Sequence, residues 1–336
     1  MKGKYWISGR KLRLYRYGGE KMNISVLDIA TLGDDLSFES VLRLGKVKFY
    51  DLTLKEDVID RIKDAEVVVI NKVKLNSSNL RCAKKLKLIC ITATGFDNVD
   101  IDYCREHGIA VCNVAGYSTD SVVQLTVAMA FSLATHLSVY DNYVKSQKYT
   151  QSGIFNCIKP VFREISGLVW GVVGLGNIGG KVARIAKTMG ADVIAYKRTP
   201  TKEFNCVDLD TLCRKSDIIT VHTPLNDETY HLINEKRLAQ MKKNVILINV
   251  ARGDVFDEEA VTKAVLDEKI GALGIDVYST EPMQKDSPYQ KLLKKDNVIF
   301  TPHMAWGAID SRQRCIDEVA KNIESFIEGG NRSRIV

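Results

Sequence analysis

With 336 residues, 45% hydrophobic and 26% charged, the chain has the composition of a globular protein of two domains rather than of a disordered one. The formal charge of +7 gathers in residues 1–21, where Lys2, Lys4, Arg10, Lys11, Arg13, Arg16 and Lys21 stand against Glu20 alone; the rest is nearly neutral and lacks the electrostatic footprint of a nucleic-acid binder. No run approaches the roughly 18 apolar residues of a membrane-spanning helix. Eight scattered cysteines without a C-x-x-C pair argue against a zinc site or a disulfide framework, and for the reducing cytoplasm.

Residues 1–21 lack the apolar core of a signal peptide. They read as an extension outside the catalytic fold, such as an upstream start codon would add. From Asn23 onward, short apolar runs alternate with helix-like segments. Strands are expected at Ile24–Leu27, Val47–Tyr50, Val67–Ile70, Leu86–Ile91 and Ala110–Cys112, with helical stretches such as Phe38–Leu44 and Asp100–His107 between them. That alternation predicts an α/β domain with a mainly parallel sheet. Ser121–Tyr140 reads as one long helix, apolar on most faces, which must be buried between domains or against another subunit.

A second series begins at Leu168, with strands at Leu168–Val173, Val193–Tyr196, Asp217–Val221, Val245–Ile248, Ala272–Ile275 and Val298–Phe300. The last helix, about Ser311–Glu328, sets Ile316, Val319, Ala320, Ile323, Phe326 and Ile327 on one stripe. Two α/β domains follow, with the cleft between them as the default ligand site.

Gly174-Leu-Gly176-Asn177-Ile178-Gly179 follows the apolar run LVWGVV and opens a helix striped by Ile178, Val182, Ile185, Ala186 and Met189. Strand before and helix after turn a weak G-x-G-x-x-G pattern into a dinucleotide fingerprint. Gly174 allows the tight turn, Gly176 lets a pyrophosphate approach, and Gly179 lets helix pack on strand, while the helix N-terminus offers N–H groups to phosphate. At the end of the next strand, where an NAD-selective site has an acid, stand Lys197, Arg198 and Thr199. Two cations and a hydroxyl attract the 2′-phosphate that a carboxylate repels, so NADP is expected to be accepted alongside NAD.

Only five histidines occur, and one ends the run Val298-Ile-Phe-Thr-Pro-His303. Ligands of open α/β sheets lie beyond the carboxyl ends of the strands, so His303 is expected at the site. Two neighbouring strands lead into Asn249-Val250-Ala251-Arg252-Gly253 and into Asp276-Val-Tyr-Ser-Thr-Glu281-Pro282. An arginine fork holds a carboxylate and polarises the adjacent ketone. Histidine can protonate that oxygen as hydride arrives, and a neighbouring carboxylate steadies the imidazolium. Arg252, Glu281 and His303 are therefore the expected catalytic set for reduction of a 2-oxo acid.

On these blocks, GLGNIG, NVARG at 249–253, DVYSTEP at 276–282 and TPH at 301–303, the chain from about Met22 resembles the D-isomer-specific 2-hydroxyacid dehydrogenase family. The resemblance assigns substrate binding to Arg252, support of the histidine to Glu281, acid/base work to His303 and the nicotinamide carboxamide to Asp276. It sets His222, Thr223 and Pro224 along the adenosine side, and Val250, Ala251 and Ala305 at the cofactor. Asn71-Lys72-Val73, Thr92–Asp100, NVAGYSTDSVVQ at 113–124 and His303-Met-Ala-Trp306 are similar to the glycerate dehydrogenase/hydroxypyruvate reductase branch. By that likeness Val73, Thr94, Gly95 and Phe96 line the substrate loop, where backbone N–H groups meet the carboxylate.

The family implies two Rossmann-like/flavodoxin-like α/β domains, the nucleotide-binding one inserted into the substrate domain. Residues 22–118 and 304–336 would form the substrate domain, 119–303 the dinucleotide-binding domain, and helix 121–140 part of a cytoplasmic homodimer's interface; no metal is implied. Hydroxypyruvate/D-glycerate, with glyoxylate, is the substrate class to which the likeness points. The segment 148–163 (KYTQSGIFNCIKPVFR) is a weak match where relatives place pocket residues. A dehydrogenase of the D-lactate or 3-phosphoglycerate type remains an alternative, with Lys72 and Lys74 available to a phosphate. So does an NAD(P)-sensing binding protein of the corepressor kind.

Overall fold

A computed structural model describes residues 22–199 and 201–336. The expected extension at residues 1–21 lies outside the described residues. The chain forms two compact units: one runs to Tyr117 and resumes at Ile309–Val336, and the other, Ser118–Ala308, interrupts it.

The first unit is built on five parallel strands: β1 (Met22–Val26), β2 (Gly45–Phe49), β3 (Val67–Ile70), β4 (Leu88–Ile91) and β5 (Ala110–Cys112), in the order β2-β1-β3-β4-β5. That is the flavodoxin-like order. β3 and β4 are buried at every residue, as expected of parallel strands covered on both faces. The final helix, Ile309–Ile327, buries Ile316, Val319, Ala320 and Ile323 against this unit. The last two residues of the expected stripe leave the core: Phe326 is half-buried beneath the Arg334 guanidinium, and Ile327 is exposed.

The second unit holds β6 (Val169–Val173), β7 (Asp192–Tyr196), β8 (Asn205–Cys206), β9 (Ile218–Val221), β10 (Ile246–Asn249), β11 (Ala272–Ile275) and β12 (Val298–Phe300). All pair in parallel, in the order β12-β11-β10-β9-β6-β7-β8. This is the Rossmann order, with its reversal between β6 and β9, where dinucleotides bind. Trp170, Val172, Val182, Ala183 and Ala186 are fully buried where the helix after β6 packs on the sheet. Each fully buried valine side chain contributes about 1.5–3 kcal/mol to holding that helix in place. Met189, expected on the inner stripe, is instead the exposed cap of this helix, because the chain turns away at Gly190.

The long helix expected at 121–140 is two helices, Thr119–Thr135 and Leu137–Lys145, bent by 64°. His136 adopts a left-handed conformation (φ 52°, ψ 37°), which ends the i→i−4 ladder. The first helix buries Val122, Val123, Thr126, Met129, Ala130 and Leu133 in the unit, whereas the second buries nothing. Among the described residues no single helix is long and apolar enough to cross a membrane.

Candidate active site

At the switch point, Gly174 follows β6 in a left-handed conformation (φ 94°), and its N–H donates to Tyr196 O at 2.8 Å. A Cβ here would lie 2.8 Å from the carbonyl oxygen of His222, at the exit of β9, so the two strand ends meet at this glycine. Gly179 is tighter still, since its Cβ would come within 1.9 Å of Gly174 O. Gly176 is different: a Cβ would meet no protein atom within 4 Å. The space in front of it is open, and Gly176 caps the helix Asn177–Thr188 with no side chain, leaving the first N–H groups of that helix unanswered. A gap over uncapped N–H groups is what a dinucleotide pyrophosphate requires, so Gly174, Gly176, Asn177, Ile178 and Gly179 fit that group.

Lys197, Arg198 and Thr199 leave the carboxyl end of β7 beside this turn. Arg198 has a loose, exposed pairing with Glu228 at 3.7 Å; Lys197 has no ion pair among the described residues. Across the switch point, both ring nitrogens of His222 are buried without a partner among the described residues, and burial pushes its pKa down to about 3. Thr223 is half-buried and Pro224 is exposed; the Pro224 carbonyl accepts from Thr229 Oγ1 at 2.7 Å.

Arg252, Glu281 and His303 come from three adjacent strands. Asn249 ends β10 opposite Ile275 of β11, and Ile275 lies opposite Phe300 of β12, so the three exits stand side by side about 5 Å apart. From the third exit, His303 takes a left-handed backbone (φ 51°) and directs Nδ1 to within 2.6 Å of Glu281 Oε2. Glu281 Oε1 accepts the Tyr278 N–H at 3.2 Å, which orients the carboxylate along its own loop. The pair is partly exposed, 23% for the histidine side chain and 32% for the glutamate, so it is open to a ligand. With Nδ1 committed to the carboxylate, Nε2 is the nitrogen left for a substrate.

Arg252 leaves β10 through a turn tied by Asn249, whose side chain bonds Arg252 O at 2.8 Å and the Ala251 N–H at 3.0 Å. Its guanidinium donates once, to Ala251 O at 2.8 Å, and the remaining N–H groups have no protein partner among the described residues. It makes no bond to Glu281 or His303. The link between the exits is Gly253: a Cβ there would lie 2.0 Å from the Tyr278 carbonyl carbon and 2.2 Å from Ser279 N. The arginine turn and the glutamate loop thus touch backbone to backbone.

Asp276 is fully buried, and three donors meet its carboxylate. Its carboxylate accepts from Thr301 Oγ1 at 2.6 Å, from Met304 N at 2.9 Å and from Ala305 N at 3.0 Å, which holds the turn that presents His303. Burial raises its pKa, and these donors pull it back down. Ala305 and Val250 are buried in the core of the unit, so at both positions the backbone is what a cofactor could meet; Ala251 is half-buried. Sequence reasoning missed Glu258, whose buried carboxylate accepts the Ser279 N–H at 2.8 Å and steadies the loop before Glu281. It is the first residue of a helix, where an acid is ordinary, so no sequence signal marks it.

In the first unit, Thr94, Gly95 and Phe96 follow β4, and no hydrogen bond among the described residues uses their backbone N–H groups. Val73 follows β3 with its side chain buried.

The model of the D-isomer specific 2-hydroxyacid dehydrogenase NAD binding domain matches residues 127–305, more than half the chain. The chain belongs to the D-isomer-specific 2-hydroxyacid dehydrogenase family. A hydroxypyruvate reductase from Blautia hydrogenotrophica is 34% identical over 317 residues, 92% of this chain and 98% of that protein. A glycerate dehydrogenase from Methylorubrum extorquens is 35% identical over 82% of this chain and 86% of its own. Among solved structures, a D-lactate dehydrogenase from Aquifex aeolicus complexed with NAD and lactic acid superposes with a TM-score of 0.80 at 32% identity, over 91% of this chain and 96% of that one. The dehydrogenase described here is accordingly a nicotinamide-dependent oxidoreductase acting on the CH–OH group of small 2-hydroxy acids.

Proposed function

We propose that this dehydrogenase reduces hydroxypyruvate to D-glycerate, with glyoxylate as a second substrate, and that it accepts NADPH as well as NADH. The observation that carries the reading is the 2.6 Å contact of His303 with Glu281, whose strand exit lies between those of His303 and Arg252. The bound nicotinamide supplies the hydride. Arg252 clamps the carboxylate of the 2-oxo acid and draws electron density onto the ketone oxygen. His303 gives that oxygen a proton from Nε2, and Glu281 stabilises the imidazolium that donates it. Thr94, Gly95 and Phe96 offer unspent N–H groups to a carboxylate, as the family likeness suggests for them. In oxidation the same residues act in reverse.

Two cations in place of an acid at Lys197 and Arg198 favour the 2′-phosphate of NADPH. The test is a matrix of both cofactors against hydroxypyruvate, glyoxylate, pyruvate and 3-phosphohydroxypyruvate. The expected result is the highest kcat/KM with hydroxypyruvate and a measurable rate with NADPH. A clear preference for pyruvate would favour the D-lactate reading, which the Aquifex aeolicus neighbour keeps alive. Tight cofactor binding without turnover would favour a sensor.

The protein is further proposed to be a cytoplasmic homodimer. Leu137, Val144, Ile154, Phe155, Ile158 and Val161 are all at least half exposed, Phe155 at 92%, in a contiguous stretch of chain. So large an apolar surface suits a second copy. Sedimentation should give twice the chain mass, and Phe155→Glu with Ile158→Glu should halve it; a monomeric wild type would refute this.

A further inference from the structure

We infer that Asp28 is a positioning residue, a buried anion that fixes the loop Asn71–Val73 and so leaves the N–H groups of Thr94, Gly95 and Phe96 as those that receive the substrate carboxylate. This rests on the proposal that these residues form the substrate loop.

Asp28 stands just beyond the carboxyl end of β1, in a left-handed conformation (φ 54°) and only 3% exposed. Its Oδ1 accepts the Asn71 N–H at 3.2 Å and its Oδ2 the Lys72 N–H at 2.6 Å, and the Val73 N–H is directed at the same carboxylate. Three successive N–H groups converging on one anion form a nest, the kind of concavity that binds substrate anions elsewhere. Here the chain's own carboxylate fills it. The other side of the loop is held as well: Asn98 Nδ2 donates to Asn71 O at 3.2 Å and to Val73 O at 3.0 Å. Thr31 completes the clasp, its hydroxyl donating to Asp28 O at 2.7 Å and accepting from Asn71 Nδ2 at 2.8 Å.

A buried charge is costly and is tolerated when several donors converge on it. Space filling alone would have called for an apolar residue among Leu27, Val69 and Ile70, all buried nearby. Burial raises the Asp28 carboxyl above its usual range while the loop N–H groups pull it down, so the loop and the anion hold each other. Asn98 also lies two residues beyond Phe96, which ties the geometry of the loop after β4 to that of the clasped one. A shift of the Asn71–Val73 loop therefore moves the Thr94–Phe96 donors.

Asp28→Asn replaces one acceptor oxygen with an NH2 that faces a backbone N–H, so the clasp opens without loss of volume. The expected outcome is a KM for hydroxypyruvate raised about tenfold or more, with kcat and the Kd for NADPH changed less than about twofold. Amide hydrogen exchange at Asn71–Val73 should quicken in the variant, a readout that needs no substrate. Thr31→Val, a milder lesion, should move KM in the same direction and serves if Asp28→Asn does not fold. An unchanged KM with an active wild type, or equal losses in KM, kcat and NADPH affinity, would overturn the positioning role. A wild type inactive on every 2-oxo acid would instead overturn the substrate reading, while faster exchange in the variant would still show the clasp.

Discussion

His303 Nδ1 and Glu281 Oε2 stand 2.6 Å apart across the exits of two neighbouring strands. A bond this short between an imidazole and a carboxylate stabilises the protonated ring. Reduction of a 2-oxo acid needs that proton. Glu281→Gln should therefore retain cofactor binding while kcat for reduction falls at least about tenfold. Steady-state rates beside a cofactor titration measure it, and a kcat equal to that of the wild type would show that the pair has no part in proton transfer.

Gly176 and Gly179 separate cofactor binding from folding. Gly176→Ala adds a Cβ that meets no protein atom, so stability of the cofactor-free protein should change by less than about 1 kcal/mol. The same methyl occupies the approach of the pyrophosphate, and the Kd for NADPH should rise at least about tenfold. In Gly179→Ala the methyl collides with the Gly174 backbone, so stability and affinity should fall together. Titration by fluorescence and a denaturant melt of each variant decide the matter; equal behaviour of the two would contradict it.

His222 is buried neutral, with its pKa lowered to about 3 by burial, against about 6.5 in an unfolded chain. Between those values the unfolded chain takes up a proton that the folded chain refuses. Folding stability should thus be unaffected by this group above about pH 7 and be lost as pH falls, by up to about 1.4 kcal/mol per pH unit. Urea melts from pH 7 to pH 4 should show a shallower decline for His222→Asn than for the wild type. Parallel declines would mean that the imidazole is solvated.

Much of this was legible in the chain itself. Continuous apolar runs such as VVVI at Val67–Ile70 declare buried parallel strands, and the acid/base residues follow such runs at short intervals. What sequence patterning misses is set by contacts distant in the chain. Nothing local marks His136 as the point where a helix breaks, since a histidine has no preference for the left-handed region as strong as that of glycine. Nothing local shows that Asp276 also holds the His303 turn, because its three donors lie 25 to 29 residues on, at Thr301, Met304 and Ala305. Asp28 reads as an ordinary polar residue after a strand, because its partners lie more than forty residues away, at Asn71 and Lys72.

The most direct test of the central claim is the rate of NADPH oxidation by hydroxypyruvate in the wild type, Arg252→Ala and His303→Ala, with the chirality of the glycerate determined. Each variant is expected to lose at least about two orders of magnitude in kcat/KM while still binding NADPH, and the wild-type product is expected to be the D isomer. Turnover by His303→Ala or Arg252→Ala at the wild-type rate would contradict the account, as would an L product.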